Sequence, residues 1–318
     1  VKKTPKKTVS LVLGSGGAKG LAHIGVIRWL EAHDYEIRSV SGCSIGALIG
    51  GMYAAGKLDA YEEWVLGISK ADILSMLDFN VGSGGLVKGE KIIEALAGMA
   101  GDLLIEDLPI TYTAVAADIY DEKEVWLQKG RLFDAIRASI SIPLFFTPYE
   151  VNGRILVDGG ILNPVPIGPT LSDHCDLTVA VNLMGKPVYE TPEHATSSLI
   201  QGDKDLVEQQ AQHESGWALQ ETIQRYLQEL QNSMASKLSE FLAPNMGFYD
   251  IANRSFDTMQ GTIARIKLAA NPPDVTITIP RNSCGMFEFD RANEMIPLGY
   301  EKSQQAFSEY RYNSSRNN

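Results

Sequence analysis

Within the 318 residues, the side chain with the clearest chemical potential is Ser44, set in Gly42-Cys43-Ser44-Ile45-Gly46. A serine hydroxyl attacks a carbonyl only when the chain presents it outward and a neighbour accepts its proton. Glycines two residues to either side permit the sharp strand-to-helix turn that presents it. Alone, G-x-S-x-G is also met as an ordinary tight turn whose serine caps a helix, so the pentapeptide needs partners. A carboxylate is offered by Asp158, in Asp158-Gly159-Gly160, at the end of an apolar run that follows the turn Asn152-Gly153. The two glycines leave its surroundings free of side chains, so another group can approach it closely. The third stretch is G-S-G-G-A-K-G at 14–20, where bare amides between a strand and a helix can converge on an anion.

That loop is out of register for both nucleotide motifs. A dinucleotide fingerprint needs glycine at its first, third and sixth places; counted from Gly14 the sixth is Lys19, and counted one later the first is Ser15. A P-loop needs Gly-Lys followed by Ser or Thr, whereas Lys19 stands between Ala18 and Gly20. An oxyanion hole, which needs only two or so aligned amides, remains open. Of the five histidines, His174 completes the order Ser44, Asp158, His174 known from α/β-hydrolases, so a triad stands beside a Ser-Asp dyad. His23 falls in the first helix and reads as structural.

The elements that must position these groups follow from periodicity. Strand runs are predicted at 8–13, 110–117, 124–127, 177–182 and 275–279, with a hairpin over 149–157. Helical spacing covers 21–30, a small-residue apolar run from Ile45 to Ala55, two short helices over 58–77, and helices at 88–99, 132–138 and 256–268. Residues 80–86 read as a glycine-rich loop, and the last helix, 290–312, is expected to break near Pro297. Ile142, Leu144, Phe145 and Phe146 are candidates to line an acyl-chain pocket, although core packing is the commoner role for such residues. Residues 185–254 change character, with five basic and ten acidic side chains and an apolar helical stripe from Leu219 to Leu242 that Pro244 stops. Such a stripe can dock on the body, act as a lid, or touch lipid.

Composition bounds the partners. A net charge of -11 argues against nucleic acid, whose binding depends on neutralising phosphates. Lys2, Lys3, Lys6 and Lys7 are an exception to this balance and read as a solvated tail. Cys43, Cys175 and Cys284 form neither a C-x-x-C pair nor a metal-ligand spacing, which fits a reducing compartment. There is no signal-peptide layout and no apolar run near the roughly 20 residues that span a bilayer. The expected location is cytoplasmic, with peripheral membrane contact left open. No loop has calcium-ligand spacing, so metal-independent chemistry without a cofactor is expected.

Taken in order, S-G-G-A-K-G at 15–20, G-C-S-I-G at 42–46 and D-G-G at 158–160 resemble the patatin-like phospholipase family. Supporting stretches are G-L-A-H-I-G-V at 20–26, R-A-S-I-S-I-P at 137–143 and N-P-V-P at 163–166. The resemblance spans about residues 9–182 and resumes weakly in the final helix. It implies a three-layer α/β/α fold with a mainly parallel central sheet, in a single domain over 8–313. The resemblance does not reach 185–255, which composition and helical spacing make an expected helical insertion or lid-like segment within that domain, and 1–7 and 314–318 are expected to be disordered tails. It also implies a lipid acyl hydrolase that cleaves carboxylic esters, with a lipid or acyl ester as partner. Carried over, the nucleophile is Ser44, the base is Asp158 acting without histidine, and the oxyanion hole falls on Gly16, Gly17 and Ala18. Lys19, Gly20, Gly42, Gly46, Gly159 and Gly160 are the supporting motif positions. Ser15 stands where the family's loop usually has another glycine. Such a dyad needs a carboxyl whose pKa is raised by burial, or charge stabilised elsewhere, so Asp158 is expected in a shielded pocket. The alternatives are a catalytically silent binding or regulatory protein of the same fold, and the Ser44-Asp158-His174 triad.

Overall fold

The computed structural model describes residues 6–76, 87–188 and 246–316. The strands are Lys7–Leu13 (β1), Tyr35–Cys43 (β2), Thr111–Asp118 (β3), Lys123–Leu127 (β4), Tyr149–Val151 (β5), Arg154–Asp158 (β6), Leu177–Gly185 (β7) and Val275–Pro280 (β8). The helices are Ala22–Ala32 (α1), Ile45–Ala54 (α2), Leu58–Gly67 (α3), Lys70–Ser75 (α4), Glu90–Ala100 (α5), Leu132–Ser139 (α6), Met246–Ala270 (α7) and Ala292–Arg316 (α8). The chain divides into two compact units, Val1–Pro187 with Asp257–Asn318, and Val188–Phe256. Of the second unit, the described residues are Val188 and the start of α7. The glycine-rich loop expected at 80–86 and the stripe expected over 219–242 lie outside the described residues.

The first unit is built on one sheet in which β3, β2, β1, β7 and β8 run parallel, with β4, β5 and β6 joined antiparallel at the β3 end. Strand alternation sends β1 side chains to two cores. Val9, Leu11 and Leu13 face the larger one, with α1, α2 and α8, while Val12 meets Val165, Ile167, Ala180 and Ala264 on the other side. Helices on both faces make the expected three layers. Several boundaries differ from expectation, the largest being α7, which begins at Met246 rather than at 256. Lys7 already belongs to β1, and α8 runs to Arg316 without a break at Pro297. Contact with α1 holds α8 on both sides of the proline: a Cβ on Gly25 would lie 1.9 Å from the Ile296 carbonyl, and one on Gly299 would lie 1.9 Å from the Ala22 carbonyl.

One detail of register organises everything else. β3 has three partners but only two edges. At 114–115 it pairs with both β2 and β4, and at 116–118 with both β4 and β6. β2 and β6 therefore share an edge of β3, end to end. Cys43 is opposite Val115 and Asp158 is opposite Ala116, so the two chain ends meet at consecutive residues of one strand.

Candidate active site

Ser44 lies in that junction, between the last residue of β2 and the first of α2, with φ 56° and ψ −125°. Only a tightly constrained turn holds a side-chain-bearing residue there. The glycines make the turn fit: a Cβ on Gly46 would lie 2.1 Å from the Leu13 carbonyl, and one on Gly42 would lie 2.3 Å from the Gly46 carbonyl. The Ser44 amide donates to Ser139 Oγ at 2.9 Å, and its carbonyl accepts from the Ala47 and Leu48 amides.

Asp158 is 1% exposed. Its Oδ1 accepts the Gly160 amide at 2.7 Å and lies 3.8 Å from Cys43 Sγ. Its Oδ2 is buried without a hydrogen-bond partner. Burial pushes the carboxyl up to about 6, against the Ser44 hydroxyl, the Gly160 amide and the Cys43 thiol, which all favour the ionised form. The Ser44 hydroxyl thus stands beside the carboxylate without a fully formed hydrogen bond, an arrangement common before substrate is bound. The same burial, with the carboxylate alongside, raises the Cys43 thiol well above its ordinary range. Gly159 and Gly160 leave the space that the Val115 carbonyl and the Gln260 amide fill, each 2.3 Å from a would-be Cβ.

The glycine loop leaves the end of β1 toward the same point. Its first amides are spent on the scaffold, Gly14 on the Val181 carbonyl and Ser15 on the Pro164 carbonyl. His23 Nε2 donates to the Gly14 carbonyl at 2.9 Å, and burial lowers this imidazole to about 4, so it is neutral and structural. The Gly16 and Gly17 amides have no protein acceptor among the described residues. The Ala18 amide does: it donates to the Met286 carbonyl at 2.9 Å, which corrects its expected place among the open donors. Gly17 has φ 59° and sits so close to Met286 that any side chain would collide. Gly20 gives its space to the Ile45 side chain. Lys19 is buried and ion-paired with Asp257 at 3.7 Å. Ser15, the departure from the usual loop, accepts a hydrogen bond from the buried Gln260 at 3.2 Å.

Ser44 and Gly17 also border an apolar cavity of about 110 Å³, walled by residues that include Leu48, Tyr61, Trp64 and Leu96. Of the four candidates for such a lining, Ile142, Phe145 and Phe146 border the cavity, but Leu144 does not: it is 69% exposed. The triad fails on geometry. Leu177, at the start of β7, is level with Val9, whereas Val181 is level with Leu13 and hence with Gly42. Four strand residues at roughly 3.3 Å each place His174, exposed before Leu177, at the opposite end of the sheet from Ser44. Sequence reasoning gave no role to Ser139, Gln260 or Met286. Only Ser139 left a trace, inside R-A-S-I-S-I-P. Among the described residues no helix is long and apolar enough to cross a membrane.

Comparison with known proteins agrees with the motifs. Residues 11–171 match the family model for patatin-like phospholipase. An NTE family protein of Mycobacterium tuberculosis is 36% identical over 95% of this chain and 92% of its own length. A lysophospholipase of Saccharomyces cerevisiae is 30% identical over 61% of this chain but only 12% of that much longer protein. The crystal structure of VipD from Legionella pneumophila aligns with 96% of this chain and 67% of its own, at a TM-score of 0.45 and 12% identity. On the family model and the near-full-length relative, this chain belongs to the patatin-like phospholipase family.

Proposed function

We propose that the protein is a serine lipid acyl hydrolase working through Ser44 and Asp158. The observation that carries this reading is the free, buried Oδ2 of Asp158 beside a strained Ser44, at the border of an apolar cavity. The acyl chain enters the cavity, where almost nothing polar competes for it, and the ester carbonyl stops at Ser44. Ser44 Oγ forms a bond to the carbonyl carbon while its proton passes to Asp158. The carbonyl oxygen, now negative, faces the Gly16 and Gly17 amides; one such donor is worth roughly 3 kcal/mol in barrier. Collapse of the tetrahedral adduct expels the alcohol, which takes the proton from Asp158. Water then attacks the acyl-serine, giving its proton to Asp158, and Ser44 recovers that proton as the carboxylic acid leaves.

The raised pKa of Asp158 suits this task, because a carboxylate near its ordinary value of 3.8 would be a weaker proton acceptor. The test is turnover of acyl esters, including a lysophospholipid, by purified wild type, Ser44→Ala and Asp158→Asn. The expected result is wild-type turnover and a loss of at least about 10³-fold in each variant, with both still folded. Retained turnover in either folded variant contradicts the assignment.

A further inference from the structure

The strained elbow needs something to hold it, since unfavourable backbone conformations persist only where their surroundings over-determine them. The Ser44 carbonyl is held by the first turn of α2. Its amide is held by a side chain, Ser139 Oγ, at 2.9 Å. Ser139 is the last residue of α6 and is 0% exposed. Its own proton goes to the Val115 carbonyl at 2.6 Å. Val115 is the residue of β3 paired with Cys43, immediately before the elbow. The hydroxyl is therefore a two-bond strut between the central strand and the nucleophile's backbone. Two residues on, the Ser141 carbonyl accepts the Asp158 amide at 2.9 Å, and Ser141 Oγ is fixed by Arg137. Between and after them, Ile140 and Ile142 line the cavity. This short run thus sends polar atoms to the backbones of both Ser44 and Asp158 and apolar side chains to the acyl chain's place.

We propose that Ser139 is a positioning residue for the elbow: its hydroxyl holds the Ser44 amide, and with it the direction in which Ser44 Oγ points. The proposal rests on Ser44 being the nucleophile. Ser139 does not line the cavity, so its loss acts on the chemical step and leaves substrate binding almost unchanged.

The experiment measures kcat, KM and Tm on an acyl ester for wild type, Ser139→Ala, Ser139→Cys and a control, Ser303→Ala. Ser303 is equally buried and its hydroxyl donates to the Gly299 carbonyl at 2.8 Å, on a helix that carries no site residue. Ser139→Ala is expected to lower kcat by about 10- to 100-fold with KM within about threefold, as a small misplacement of a reacting group does. Ser303→Ala is expected to lose comparable Tm at wild-type kcat. Cysteine is only slightly larger than Ser139, leaves no cavity and bonds weakly, so Ser139→Cys folds and loses at least about fivefold in kcat, even if the alanine variant does not fold. Wild-type kcat in a folded Ser139 variant, or an equal fall in the control, overturns the proposal. Absence of turnover in wild type removes the nucleophile reading itself, a distinct outcome.

Discussion

In the proposed mechanism two buried side chains carry the chemistry, and their titration makes the account testable. Asp158 accepts a proton only when ionised, so kcat/KM on an acyl ester is expected to fall below a limb near pH 6, and a limb near the ordinary carboxyl value of 3.8 would contradict the shielded carboxyl. Stability should move the other way. The folded pKa lies above the unfolded one, so protonated Asp158 adds stability below about pH 4, and that contribution is lost as pH rises through about 6. At pH 7 the ionised carboxylate is then a burden on the order of 2–3 kcal/mol. Asp158→Asn is accordingly expected to be inactive yet to melt above wild type at pH 7.5, with the gap narrowing toward pH 4; a lower Tm at both pH values would refute this. His174→Ala should leave kcat/KM unchanged, and a loss beyond about tenfold would restore the triad. At this scale Ser44 and Asp158 were legible because each sits in a glycine-flanked motif. Ser139 was not, since nothing in a sequence shows that a serine hydroxyl pairs with an amide 95 residues away.

At the scale of elements, the site exists because β2 and β6 end against consecutive residues of β3. Most strands and helices could be read from alternation and helical spacing, since burial of one face writes that period into the sequence. The shared edge of β3 could not, because register between distant strands leaves no local mark. The unbroken passage of α8 through Pro297 was misread for a related reason. Local propensity opposes a proline there, and tertiary contact with α1 outweighs it. That contact gives a prediction of its own. Gly25→Ala would press a methyl into the Ile296 carbonyl, so the helices must part, at a cost of about 3 kcal/mol or more and a clearly lower Tm. An unchanged Tm would show that the crossing is looser than described.

For the whole molecule, an acidic chain with an apolar cavity beside Ser44 fits an uncharged acyl chain better than a polyanion. The cavity was only half legible: Ile142, Phe145 and Phe146 were named from sequence, but Tyr61, Trp64 and Leu96 come from helices far along the chain. Across a series of acyl esters, each added methylene is expected to raise kcat/KM by up to about fourfold until the cavity is full, from roughly 0.8 kcal/mol per buried methylene. A flat series would place the chain elsewhere. The claim on which all of this depends is that Ser44 is activated by Asp158. Reaction with an active-site fluorophosphonate followed by peptide mapping tests it directly. The account predicts a single label on Ser44 in wild type and almost none in Asp158→Asn. An unlabelled wild-type protein, or an Asp158→Asn variant labelled at the wild-type rate, would contradict it.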